Sequence, residues 1–207
     1  MSADHRPESG VFEDGSRAAR RKGGHVDRAA RPHMADVSGR PAVLRRAAAE
    51  AEVVVSHETL SAIIDGATPR GDVLGVAELA GVMAAKRASE LIPLCRNVTL
   101  TELLVRATPE RASGLVRIRA EAGAIAQGGV EMEALTGAAI AALTLYDMIR
   151  DIDRSASVGG VRLVSTWEGP EEAWHRPEEA AVRRHAPAGA RAAGRISGQR
   201  GRQSQRR

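Results

Sequence analysis

Residues 130–154 repeat apolar side chains at helical spacing, and the stripe is made largely of small ones: Leu135, Ala138, Ala139, Ala142, Leu143, Tyr146 and Ile149. Alanines and Gly137 on such a stripe let the helix lie close to a sheet or a symmetry mate. The rest of the chain imposes the same economy. It has one Phe, one Tyr and two Trp in 207 residues, with 43% apolar residues, so the core must be built from Val, Leu, Ile and Ala. This length holds one domain plus ends and is short for two.

Other punctuation fills in the domain. Residues 52–56 (EVVVS) are a short β-branched run and read as a strand. Residues 57–65 space Leu60, Ile63 and Ile64 helically and stop at Gly66. A turn at 69–72 (PRGD) puts Asp72 in position to cap a long helix over 73–91, which Pro93 ends. Two extended stretches, 97–107 and 114–125, flank the loop TPERASG and predict an antiparallel hairpin. Within the second, LVRIR at 115–119 alternates apolar and charged residues, as a half-buried strand does. A last strand over 158–166 closes the set. The order strand, helix, helix, strand, strand, helix, strand predicts an α+β sandwich, with helices on one face of a mostly antiparallel sheet.

Charge is unevenly spread. Residues 1–32 carry 7 Lys/Arg against 5 Asp/Glu, and residues 168–207 carry 9 against 5. The middle, 33–167, carries 14 against 16, so the basic character belongs to the ends and the domain has no nucleic-acid footprint. Both ends lack an apolar period and are expected to be disordered, the second as a basic tail. The start, MSADHRPESG, does not resemble a secretory signal, and no apolar run suggests a membrane span. A single cysteine, Cys95, excludes an internal disulfide, and no histidine spacing suggests a zinc site. A cytoplasmic protein without a metal or cofactor is the expectation.

Three segments carry possible chemistry: PRGDVLGVAELAGVMAAKRASELIPLCRN at 69–97, GGVEMEALTGAAIAALTLYDMIR at 128–150 and, more weakly, HMADVS at 33–38. The first sets Lys86 and Arg87 near a helix end, before a Pro-bent exit. Such an exit can hold an anion, or can simply be a charged helix surface running into an edge strand. The second opens with Glu131 and Glu133, where carboxylates suit the helix dipole. It closes with Asp147 and Arg150 on one face, able to form an ordinary ion pair or to work together on a substrate. Cys95 reads as packing or as a nucleophile.

The patterns GDVLxxAxxAGxxAAKRxxELIPLC and GVEMEALTxAxxAALTxYDM resemble the cyclic pyranopterin monophosphate synthases of molybdenum cofactor biosynthesis, from His33 to about Val164. The resemblance implies a lyase with a ferredoxin-like α+β subunit, assembled as a homohexamer built from dimers with its sites between subunits. The family converts 3′,8-cyclo-7,8-dihydro-GTP to a pyranopterin, forming a cyclic phosphate and releasing pyrophosphate. By position, Asp147 falls on the family's catalytic aspartate, with Arg70 and Arg150 at catalytic lysine positions. Leu94, Cys95, Arg96, Met132 and Glu133 fall on substrate-contacting segments, and Lys86, Arg87 and Glu131 also match.

This chain departs from the family pattern at four places. Arg70 and Arg150 replace lysines, Arg96-Asn97 replaces His-Pro, and residues 166–170 (TWEGP) replace a Lys- and Gly-rich segment. Only Lys22 and Lys86 are lysines among 30 basic residues, so the chain favours arginine generally. Arginine keeps the charge and binds phosphate in bidentate fashion but gives up no proton. Three functions follow: a working synthase, a non-catalytic paralogue that binds a pterin or nucleotide or partners an intact synthase, or a binding role of the basic tail toward nucleic acid or an acidic partner.

Overall fold

The computed structural model describes residues 31–169 and 172–177, so most of the two ends expected to be disordered, 1–32 and 168–207, lies outside the described residues. In chain order the elements are β1 (Val43–Val54), α1 (His57–Ile64), α2 (Val73–Ala85), α3 (Ala88–Leu91), β2 (Glu102–Glu110), β3 (Leu115–Ala126), α4 (Glu131–Ile149), β4 (Ser157–Glu168) and β5 (Glu172–His175). The strands form one sheet in the order β2-β3-β1-β4-β5. β3 pairs antiparallel with both β1 and β2, and β1 pairs antiparallel with β4. Strands β1 and β2 therefore run parallel with β3 threaded between them, the split arrangement of a ferredoxin-like subunit. A compact unit extends to Trp174, and only residues 175–177 are described of the segment beyond it.

The inner face of the sheet is built on period two. Ala47, Ala49, Ala51 and Val53 of β1, and Val116, Ile118, Ala120, Ala122 and Ala124 of β3, are all buried. The other face carries charge that neutralises itself. Arg117 reaches Glu110 at 2.7 Å and Glu52 at 2.8 Å, Arg162 reaches Glu50 at 2.8 Å, and Arg119 reaches Glu50 at 3.1 Å. This ladder crosses β2, β3, β1 and β4. It gives polar cover to a sheet face whose inward side is already spent on the helices.

Helices α2 and α4 pack on the inner face, and they meet through glycine. A Cβ placed on Gly81 would lie 2.8 Å from the carbonyl oxygen of Gly137 and 2.9 Å from Val105 Cγ1. Gly137, for its part, faces Ala85 of α2 and Ala120 of β3, at 3.4 Å and 3.5 Å from an ideal Cβ. The small stripe thus serves a second helix as well as the sheet. Gly81→Ala is expected to cost about 1–3 kcal/mol by overpacking, only partly offset by a gain of about 1 kcal/mol in helix propensity. Thermal unfolding would show a clear fall for Gly81→Ala and a much smaller change for Gly137→Ala. Equal unfolding temperatures for Gly81→Ala and the wild type would refute the tight approach.

Several boundaries differ from those expected. β1 begins nine residues before position 52, because pairing on both sides recruits an Ala- and Arg-rich stretch that has helix propensity but no visible alternation. The helix expected over 73–91 breaks after Ala85. Lys86 caps it, Arg87 turns with φ −113° and ψ 14°, and α3 follows with Ala88 buried. The hairpin turn is tighter than the loop TPERASG, with Glu110 opposite Leu115 and Gly114 at φ 66°. α4 stops at Ile149 rather than 154, where Ile152 and Asp153 both donate their amides to the Ile149 carbonyl. The sheet also extends past 167, through Glu168 and the short strand β5. Among the described residues α4 alone has the length and apolar content of a membrane span. It buries Ala134, Ala138, Ala141, Ala142, Leu145 and Ile149 in the core.

Candidate active site

The side chains singled out by the sequence gather in two groups, one at each end of α4. Ala85 faces Gly137 while Gly81 faces both Gly137 and Ala141, so α2 runs antiparallel to α4. The loop before α2 therefore reaches the C-terminal end of α4, and the segment after α2 reaches its N-terminal end.

At the C-terminal end, Arg70 arrives on a turn that is closed locally. Asp72 caps α2 through the Gly75 amide at 2.8 Å, Gly71 has φ 77°, and the Thr68 hydroxyl donates to the Gly71 carbonyl. From this turn Arg70 places one terminal nitrogen 3.5 Å from Asp147 Oδ2 and the other on Asp151. Arg150 caps α4 and sets its Nε 3.1 Å from Asp147 Oδ1. Asp147 thus has a guanidinium on each oxygen while its own side chain stays 59% exposed. Asp151 completes the group and lies one residue past the 128–150 motif. Its signal in the sequence is the i, i+4 spacing from Asp147.

At the N-terminal end the central group is Glu133, which is 4% exposed. Its Oε2 has no hydrogen-bond partner among the described residues, and its Oε1 lies 3.9 Å from Cys95 Sγ. Burial pushes the Glu133 carboxyl above its ordinary range; its own backbone N–H opposes this and the Glu131 charge adds to it. Burial and the Glu133 carboxylate likewise push the Cys95 thiol up, against the pull of Arg96. A thiol so placed is a poor nucleophile and a weak donor.

The surrounding backbone is shaped for this group. Leu94 has φ 66°, rare for a branched residue, and follows Pro93 in a turn closed by the Cys95 amide on the Ile92 carbonyl at 3.1 Å. Glu131 folds back over Gly129, so that a Cβ there would sit 2.0 Å from its carboxylate oxygen and would have to push that side-chain end aside. Met132 is partly exposed beside it, and Lys86 and Arg87 are exposed at the α2–α3 turn. Arg96 donates to the carbonyl of Ala35, so the weak HMADVS segment is strapped to this end of the molecule. No group of three His, Cys, Asp or Glu side chains suited to a metal ion occurs among the described residues.

Glu133 and Asp147 are fourteen positions apart on one helix, a rise of about 21 Å. One end offers a solvent-facing carboxylate between two arginines. The other offers a buried carboxyl, its pKa raised by burial, with one oxygen left without a hydrogen-bond partner among the described residues. Residues 34–169, which contain both ends, match the MoaC family. The chain belongs to the MoaC family.

Relatives within the MoaC family cover nearly their own full length in this match. The cyclic pyranopterin monophosphate synthase of Chloroflexus aurantiacus is 45% identical over 153 residues, spanning 74% of this chain and 94% of that protein. The protein of the same name from Roseiflexus sp. is 46% identical over 140 residues, 68% of this chain and 89% of the relative. That of Brucella melitensis biotype 1 is 40% identical over 159 residues, 77% and 96% respectively.

Proposed function

We propose that the protein is a working cyclic pyranopterin monophosphate synthase, converting 3′,8-cyclo-7,8-dihydro-GTP to the cyclic pyranopterin with release of pyrophosphate. The observation that carries this reading is the convergence of Arg70 and Arg150 on Asp147. Arginines at both departed lysine positions still aim at the same carboxylate. Asp147 moves the protons of ring opening and closure, while Arg70, Arg150 and Arg96 supply charge for the triphosphate and the departing pyrophosphate. The buried carboxyl of Glu133, with Cys95 and Met132, takes the ring end of the substrate. The reaction takes place in the cytoplasm and calls on no cofactor.

The reading includes assembly. With its two halves about 21 Å apart, one subunit holds no complete site. A second copy must bring its Glu133 end to the first copy's Asp147 end, in a homohexamer built from dimers. Exposed apolar side chains support a second copy as the occupant of the helical face: Val76, Leu79 and Met83 on α2 and Leu143 on α4 are 43%, 61%, 50% and 52% exposed.

The test is to incubate the purified protein with the cyclised GTP intermediate and follow pyranopterin formation and pyrophosphate release. Product from the wild type supports the synthase. A folded oligomer that binds the intermediate and makes no product would replace it with the non-catalytic, pterin-binding paralogue.

A further inference from the structure

Asp151 stands where folding alone would not put it. The C-terminal end of a helix carries partial negative charge, and the basic residue that caps α4, Arg150, is turned onto Asp147 Oδ1 at 3.1 Å. Asp147 already faces that end. A second carboxylate, Asp151, follows in the turn just past the helix and adds like charge there. The charge that bridges the two carboxylates comes from Arg70, 81 positions away from Asp151.

Arg70 spends both terminal nitrogens there, one on Asp151 and one 3.5 Å from Asp147 Oδ2. A guanidinium is a rigid planar fork, so holding one nitrogen fixes the direction of the other. The backbone turn at 68–72 fixes where Arg70 starts, and Asp151 fixes where it ends. Without Asp151, the side chain, 36% exposed, would keep a single carboxylate partner at 3.5 Å and could turn to solvent or to a phosphate.

We propose that Asp151 is a positioning residue that latches Arg70 onto Asp147 and withholds one arm of that arginine from the substrate's phosphates. The proposal rests on the synthase reading of Asp147 and Arg70. Asp151 touches no reacting atom. It trades affinity for the anion against a fixed partner for the proton-transferring carboxylate.

The experiment compares wild type with Asp151→Asn, Asp151→Glu, Arg70→Gln and the double variant Arg70→Gln/Asp151→Asn, after circular dichroism has shown each to be folded. Pyrophosphate binding is measured by calorimetry, and turnover of the cyclised GTP intermediate by steady-state kinetics. Asp151→Asn is expected to bind pyrophosphate about two- to five-fold more tightly, with KM unchanged or lower and kcat about ten-fold lower. Asp151→Glu should restore most of the turnover. In the Arg70→Gln background, adding Asp151→Asn should change neither quantity, because the effect runs through Arg70. A merely structural Asp151 would alter unfolding temperature without splitting KM from kcat, and that outcome overturns the proposal. So does an equal gain in pyrophosphate affinity with and without Arg70, which would be a net-charge effect alone. Absence of measurable pyrophosphate binding in both wild type and Asp151→Asn also overturns it. If wild type makes no product, the synthase reading fails by itself, and the pyrophosphate series still decides whether Asp151 restrains Arg70.

Discussion

Replacing Asp147 with asparagine is expected to lower product formation by about 10²–10⁴ while leaving fold and ligand binding in place. Asparagine has nearly the same size and keeps an acceptor, but it can neither take nor return a proton. The side chain is 59% exposed and outside the core, so its unfolding temperature should stay near that of wild type. Arg70 and Arg150 each lose one counter-ion, so affinity for pyrophosphate should hold or rise. Loss of turnover with retained binding separates proton transfer from anchoring. Activity within a few-fold of wild type would instead move the acid–base role elsewhere, and Glu133 would be the first residue to examine.

The largest expected effect on stability comes from Asp153, just beyond the same helix. Its carboxylate is buried and accepts the Ser56 amide at 2.7 Å, the Ser155 amide at 3.0 Å and the Ser155 hydroxyl at 2.7 Å. It joins the end of β1 and the cap of α1 to the turn that leaves α4. Asp153→Ala strands two backbone donors and should cost about 3 kcal/mol, read as a lower denaturant midpoint at unchanged slope. Burial alone would raise this carboxyl's pKa. The amide and hydroxyl bonds outweigh burial and hold it below the ordinary value of 3.8. Because the folded pKa is the lower one, the stabilisation is fully present above the unfolded pKa and is lost as pH falls through the folded value. Wild type minus Asp153→Asn stability should therefore shrink below about pH 4. A difference that stays constant from pH 7 to pH 3 would show that the carboxylate's charge plays no part.

Much of the fold was legible because its signals are local. Asp72 caps the helix that follows it through the Gly75 amide, as its place at the end of the 69–72 turn implies, whereas Ser56, read as the end of a strand, caps α1 through the Thr59 amide. The alternation around 115–119 marks β3 correctly, and the β2–β3 hairpin follows from it. Failures fall where tertiary contacts override propensity. Residues 43–51 are alanine- and arginine-rich, and they become a strand because β3 and β4 pair with them on both sides. The end of α4 depends on Asp153 meeting Ser56, a contact 97 positions apart that no window of sequence contains.

The candidate site was legible as residues but not as geometry. Motif spacing sets Glu133 and Asp147 at the two ends of one helix, yet it cannot show that Cys95 joins the first and Arg70 the second. It also misses Asp151, which carries no motif, and the hold of Arg96 on Ala35, which gives the HMADVS segment a place. In sequence, arginine at positions 70 and 150 is a departure from the family's lysines that keeps only their charge. In three dimensions both remain directed at Asp147.

Carrying both halves on α4 makes that helix a ruler. Each residue adds about 1.5 Å and about 100° of rotation, so Glu133 and Asp147 keep their separation and relative bearing only while exactly thirteen residues stand between them. A single insertion or deletion there would swing one carboxylate off its face and carry Gly137 away from Gly81. The stretch can drift in identity far more freely than in length.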